Sequence, residues 1–267
     1  MPVVVWVLSF AVSFAIAGLA RRLHALNQTG FVAAGLVGGI ITAAGGWKWG
    51  VILLTFFVSS SLLSKIADRI KPGHDANVTR GSERDLFQVM ANGGVAMLCA
   101  LVTLIDDNAR WFVVFAASLA VANADTWATE LGSLSRQPPR LITNGRTVVP
   151  GTSGAISALG TAGTLLGAIV ITIVSVLLAP EALGSSLSVT LAIIVAGVAG
   201  SLIDSFFGAT IQLQLYCPEC HEITEMQLHR CGTPSVYLRG VEALNNDAVN
   251  IISILAGAFI AWLIWAL

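Results

Sequence analysis

Apolar runs follow one another along the whole chain, at about 2–20, 30–47, 49–64, 86–105, 110–128, 154–179, 187–211 and 248–267. A helix needs about 20 such residues to cross the roughly 30 Å of hydrocarbon in a bilayer. Inside that layer only helices and closed barrels satisfy their own backbone hydrogen bonds. The runs therefore point to an all-α, polytopic transmembrane helix bundle of about eight spans, a single integral membrane domain over 1–267. The second and third runs are short and meet at "GGWKWG" (45–50), which suits a tight hairpin or a re-entrant pair. Composition agrees, since 55% of residues are hydrophobic and 11% charged, against about 25% charged in a typical soluble domain. The first 20 residues lack a basic leading region and a small-residue cleavage pattern, so a retained span is expected there rather than a signal peptide. A net charge of −1 and the lack of a basic run give no sign of a nucleic-acid partner.

Lys and Arg orient the bundle. The segments after spans one, three, five and seven hold 12 of the 14 basic residues, leaving Lys48 and Arg110 on the other side. Both termini are thus expected outside, with loops 65–85, 133–153 and 212–246 in the cytoplasm. Those loops border the unusual polar residues. "NADTWATELG" (123–132) ends span five, "GSLIDSFFGATIQ" (200–212) ends span seven, "LNNDAVN" (244–250) opens span eight, and "QVMANGG" (88–94) opens span four with Asn92. Three helices thereby bring Asp125, Asp204 and Asp247 to one depth. A charge in the membrane costs about 2.5–3.5 kcal/mol on insertion scales and tends to face a cavity. On span five, Asn123, Thr126 and Glu130 share one helical face, and Asp125, Thr129 and Gly132 lie nearly opposite. A helix polar on both sides belongs at the bundle centre or partly above the hydrocarbon. The plainer reading is a solvated helix end, which the acids on two neighbouring spans disfavour.

Carboxylates gathered without matching cations repel unless protonated or bridged by a metal. Mg²⁺ suits the bridge, because it takes one or two carboxylates together with substrate phosphates. "PGTSGAIS" (150–157) is a small-residue loop entering span six, where backbone N–H groups and the Thr152 and Ser153 hydroxyls can face an anion. Small residues also let membrane helices pack closely, and that role is expected for Gly35, Gly39, Gly163 and Gly167. Arg80, Arg84 and Lys65 are candidates to neutralise phosphate, with ordinary basic flanking as their alternative. In "CPECHEITEMQLHRC", Cys217, Cys220, His229 and Cys231 suit a tetrahedral Zn²⁺ site, with a redox CxxC as the lesser reading. Cys99, inside span four, reads as core.

Taken in order, "ANADTWATELG", "LITNGRTVVPGTSGAIS", "GSLIDSFFGATIQ", "CPECHEITE…HRCG" and "LNNDAVN" resemble the family of integral membrane proteins that includes plant phytyl-phosphate kinase. The resemblance runs from "TGFVAAGLVGG" to the last span. It implies phosphoryl transfer from a nucleoside triphosphate to a membrane isoprenyl monophosphate, giving the diphosphate. Asp125, Asp204, Asn123, Glu130 and Arg84 are then the expected catalytic residues. Asp125, Asp204 and Asp247 would hold Mg²⁺. Gly151, Thr152, Ser153, Gly154, Asn92, Lys65, Arg140 and Asn246 would bind phosphate or substrate. No Walker A pattern occurs, so a P-loop kinase is not expected. Without a plastid transit segment, a prokaryotic plasma membrane is the expected location, with the active site on its cytoplasmic face. Another class stays open: polar residues in several spans also describe a transporter or flippase. In its favour, "TGFVAAGLVGG" faintly echoes "TSGAISALGTAG".

Overall fold

A computed structural model describes residues 2–71, 83–183 and 187–266. Its long helices are α1 (Val3–Arg22), α2 (Gln28–Gly45), α3 (Trp47–Ile70), α4 (Leu86–Val102), α5 (Arg110–Ser133), α6 (Ala158–Leu178), α8 (Leu187–Thr210) and α9 (Asn246–Ala266), with a single turn α7 (Pro180–Leu183) between α6 and α8. Seven of these are long and apolar enough to cross a membrane, and α4 is a shorter apolar helix of 17 residues. The all-α bundle read from the apolar runs is therefore present. At "GGWKWG" it forms a tight hairpin. Gly46, at φ +89°, is the one residue between α2 and α3, and that left-handed conformation suits glycine.

Local chemistry sets where the helices begin. Asn27 accepts the Gly30 N–H at 2.9 Å and starts α2, and Ser157 accepts the Gly160 N–H at 3.0 Å and starts α6. Asp85 and Gln88 form a reciprocal capping box at the start of α4. Each satisfies N–H groups that a helix start otherwise leaves unpaired.

The centre is α5. Every residue from Phe112 to Ala124 is buried, and the helix touches α3, α4, α6, α8 and α9. A helix apolar on all sides belongs in an interior, and here the polar stretch continues directly from it. Trp49 packs against Phe112 and Phe115, with ring centroids 5.6 and 4.3 Å away. Along α6, Gly160, Gly163 and Gly167 lie against the backbone of α5; a Cβ at Gly167 would come within 2.9 Å of the Asn123 carbonyl. Gly35 and Gly39 receive the rings of Phe14 and Phe10 from α1. These four expected packing glycines, at 35, 39, 163 and 167, lie in close seams.

The long polar segments gather at one end of the bundle. There the Arg84 N–H donates to the Ala25 carbonyl at 3.1 Å, His24 meets Glu83 at 2.8 Å, and Lys71 donates to the Ser133 carbonyl. At the other end Lys48 pairs with Glu181, and the Thr103 hydroxyl donates to the Ala44 carbonyl at 3.4 Å. Two small sheets lie at the polar end. Strands β1 (Arg140–Leu141) and β2 (Ala155–Ile156) pair antiparallel and order the segment before α6. In the 212–246 insert, β3 (Gln214–Cys217), β4 (Glu222–Thr224) and β5 (Val236–Arg239) form an antiparallel sheet in the order β4-β3-β5.

Candidate functional site

A cleft of about 250 Å³ opens at the polar end between α5, α6 and α8. Asp125 and Asp204 line it, together with Gly151, Thr152, Ser153 and Gly154 from the loop before α6, and Asn246 from the start of α9. Seven residues expected at the site are thus brought together from four parts of the chain. The two acids are close enough for their charges to interact. Ser201 donates to Asp125 Oδ1 at a long 3.5 Å, and Asp204 Oδ2 is buried with no hydrogen-bond partner among the described residues. A buried carboxylate oxygen normally finds a donor or a cation. Hard carboxylate oxygens lining a cleft beside Ser, Thr and Gln side chains fit Mg²⁺ in chemical type.

Glycine brings the loop to the acids. Gly154 adopts φ +78°, and a Cβ there would collide with the Ala209 N–H and the Ser205 carbonyl of α8. The contact is reciprocal, since a Cβ at Gly208 would come within 2.8 Å of the Gly154 nitrogen. Thr152 is committed locally: its N–H and its hydroxyl both donate to the Val149 carbonyl, at 3.2 and 2.7 Å.

Two further lining residues come from the insert and escaped the sequence reading. Glu225, just past β4, reaches the cleft and accepts a hydrogen bond from Gln212 Nε2 at 3.0 Å. The only signal was an acid ending the short "EITE" stretch beside the cysteines.

Other expected residues stand elsewhere. Asn123 is fully buried between helices; its Oδ1 accepts from the Ser59 hydroxyl at 2.9 Å and its Nδ2 donates to the Gly167 carbonyl at 2.8 Å. Glu130 turns toward α3 and accepts from the Ser64 hydroxyl. Lys65 donates to the Leu23 carbonyl at 2.6 Å, and exposed Arg140 donates to the Gly145 carbonyl at 3.0 Å. Asp247 is buried in the first turn of α9. Arg84 and Asn92 line a separate groove between α1, α2, α3 and α4. Arg80 lies outside the described residues.

The insert holds a second constellation. One ligand atom from each of Cys217, Cys220, His229 and Cys231 falls within 4.8 Å of the others. Cys217 and Cys231 Sγ are 3.6 Å apart, near the ~3.8 Å edge of a tetrahedron with metal–sulfur bonds of about 2.3 Å. A disulfide would need about 2.05 Å, and all four cysteines of the chain are free. The Cys220 N–H approaches Cys217 Sγ at 3.5 Å, and His229 Nε2 is buried with no partner among the described residues. Hydrogen bonds from Thr233 and then His229 lower the Cys231 thiol to about 6, while its neighbouring sulfurs push Cys220 up to about 12. The cluster can hold a metal such as zinc. Arg239 ties the insert to α8, donating to the Ala209 and Gly208 carbonyls at 2.9 and 3.0 Å and to Gln214 Oε1 at 2.8 Å.

Residues 11–258 match the model of one family, described as integral membrane protein DUF92. The chain belongs to that family. Its relatives include Protein PGR of Arabidopsis thaliana, 33% identical over 93% of this chain and 92% of its own length. An uncharacterised membrane protein of Methanocaldococcus jannaschii is 30% identical over 92% of this chain and 88% of its own. Protein VTE6, chloroplastic, of Arabidopsis thaliana is 24% identical over 88% of this chain and 64% of its own. No solved structure matches. Membership in DUF92 bears out the family resemblance carried by the motifs.

Proposed function

We propose that this DUF92 protein is a Mg²⁺-dependent membrane kinase that converts an isoprenyl monophosphate to its diphosphate with a nucleoside triphosphate, at the cytoplasmic face of a prokaryotic plasma membrane. One observation carries the reading. Asp125 and Asp204, on two different apolar helices, share a cleft with the 151–154 loop at the polar end of the bundle, and Asp204 Oδ2 has no partner among the described residues. The attacking phosphate oxygen is already anionic at neutral pH, so the reaction needs no strong base. It forms a bond to the γ-phosphorus, the γ-phosphorus to bridging-oxygen bond breaks, and the nucleoside diphosphate leaves. Catalysis then consists of positioning and charge neutralisation. Asp125 and Asp204 would hold Mg²⁺, which supplies charge neutralisation on the phosphates. The 151–154 loop and Asn246 orient phosphate oxygens, and the close contact of Gly154 with α8 keeps that loop beside Asp204. A zinc ion held by Cys217, Cys220, His229 and Cys231 would fix the insert that delivers Glu225.

The transporter reading has less support, because such sites are built on helices broken in mid-membrane. Here Asp125 and Asp204 sit on the continuous helices α5 and α8. Purified protein in lipid, given γ-labelled nucleotide and a prenyl monophosphate, should transfer label in a Mg²⁺-dependent way. Labelled nucleotide that is never consumed, under conditions in which the protein is folded, refutes the kinase.

A further inference from the structure

The bundle has a second cavity of similar size, about 250 Å³, on the other side of the molecule. Val12, Ile16, Val37, Leu53, Leu54 and Phe57 represent its walls, which α1, α2, α3 and α4 supply. Along α3 the lining runs from Trp47 to Phe57, a rise of about 15 Å at 1.5 Å per residue. That is half the ~30 Å hydrocarbon thickness, the depth of one leaflet. The groove is mostly apolar along this length, with the hydroxyls of Ser13 and Thr42 as exceptions, and its one charged group and its amides, Arg84, Gln88 and Asn92, line the end at the polar segments.

Arg84 is the informative residue. Its guanidinium lies 5.5 and 5.7 Å from the ring centroids of Phe56 and Phe57, and it makes no ion pair or side-chain hydrogen bond among the described residues. Burial lowers it to about 10, with Glu130 acting in the opposite sense, so it remains a cation at neutral pH. Its main chain is locked. The Arg84 N–H donates to Ala25 and its carbonyl accepts from Asn27, both at 3.1 Å, while Gly30 leaves no room between α2 and the Arg84 carbonyl. The sequence thus invests a capped turn, a close-contact glycine and two aromatic rings in holding a guanidinium, with no donor spent on a described residue, at the mouth of a lipid-depth groove. Such donors fit a phosphate.

We infer that this groove holds the single isoprenoid chain of a lipid monophosphate, with the phosphate at Arg84 and the chain descending one leaflet between α1, α2, α3 and α4. The identity of the head group rests on the kinase reading; the groove and its cation do not. The groove opens at the same end as the acidic cleft, with the last turn of α5 between them. Glu130 of that turn acts on Arg84, and Ser133, three residues on, lines the cleft. Lipid phosphate and nucleotide would therefore approach from opposite sides of one helix end.

The test is equilibrium binding of geranylgeranyl monophosphate, and of the uncharged geranylgeraniol, to the full-length protein in nanodiscs without nucleotide. Arg84→Gln should weaken phosphate binding about tenfold or more, the scale of losing charge-assisted hydrogen bonds, and leave the alcohol within about twofold. Leu54→Trp, which fills the groove, should weaken both ligands, with Leu54→Met as a size-matched control that weakens neither. A photoreactive prenyl monophosphate should label peptides of α1 to α4. Unchanged affinity in both Arg84→Gln and Leu54→Trp, with melting temperatures near wild type, overturns the assignment, as does label confined to α6 or α8. Should either variant fail to fold, the label position in wild type decides alone. The binding test holds no nucleotide and so stands apart from the labelled-nucleotide assay: groove-dependent binding beside a negative result in that assay would leave the groove standing and remove the kinase.

Discussion

Asp125 and Asp204 bring two carboxyl groups into one cleft of a lipid-embedded bundle, and charging both sets up a repulsion that only a proton or a cation relieves. Asp125→Asn removes it and keeps the shape and one acceptor oxygen, so the variant should melt no lower than wild type. Its phosphoryl transfer should nevertheless fall by about 10²–10⁴, the scale expected for removing a metal ligand. Asp204→Asn should match it, and the double variant should be scarcely worse than either, because ligands of one ion act as a unit. Initial rates against Mg²⁺ concentration for the three proteins check this; near-wild-type Mg²⁺-dependent turnover in well-folded Asp125→Asn refutes the assignment. Gly154→Ala tests the loop. Its φ of +78° and its contact with α8 make any side chain strained, on the order of 1–3 kcal/mol. Turnover should drop at least tenfold in rate measurements while far-UV circular dichroism still shows the helical bundle. Helical spacing alone told that span five is polar on two faces, and both faces have partners, α8 beside Asp125 and α3 beside Glu130. Spacing does not tell which partner lies where, because that is set by packing between distant segments. So spacing put Asn123 on one face with Glu130, and only the packing shows its amide joining α5 to α3 and α6.

At the scale of elements, the spans were legible because each is a local property of about 20 residues, with ends marked by Asn27, Asp85 and Ser157 as caps. The insert was legible only in its metal ligands. Its strands are three or four residues long, too short to show alternation, and their pairing depends on the turn that places Cys220 beside Cys217. The reason the insert matters is mechanical. Arg239 caps the carbonyls ending α8, and Gln212 and Glu225 join the insert to the cleft. Metal binding in such small units is folding free energy. Purified protein should therefore carry about one zinc per chain by elemental analysis, and Cys217→Ser should lose most of it. That variant should also lose most transferase activity, though no cysteine touches the proposed substrates, because Glu225 is no longer held. Stoichiometric zinc in Cys217→Ser, or none in wild type, defeats the site. Full activity in a zinc-free variant defeats the coupling.

On the whole molecule, charge and connectivity make one joint statement. Counted with the seven candidate spans, α4 would make the number of crossings even and return both ends of the chain to one side, opposite the long polar segments. The structure gathers Arg84, Lys71, Arg136, Arg140 and Arg239 near those segments, while Lys48 and Arg110 stand at the other end. Lys and Arg are retained on the cytoplasmic side during insertion, and the anionic inner leaflet attracts them further. The acidic cleft and the mouth of the groove would then face the compartment that supplies nucleotide. The lateral order of helices, by contrast, was not legible: nothing local in α1 says that it pairs with α2 through Phe10 and Phe14 at the rim. The sidedness can be tested at two exposed positions on opposite ends, Asn144 in the loop after β1 and Asp107 between α4 and α5. In intact cells a membrane-impermeant maleimide should modify Asp107→Cys readily and Asn144→Cys only after permeabilisation. The wild-type chain should stay unlabelled in intact cells, since Cys217, Cys220 and Cys231 lie with Asn144 and Cys99 is buried in α4. Ready labelling of Asn144→Cys in intact cells inverts the topology, and with it places both proposed substrates on the wrong side of the membrane for a nucleotide-dependent kinase.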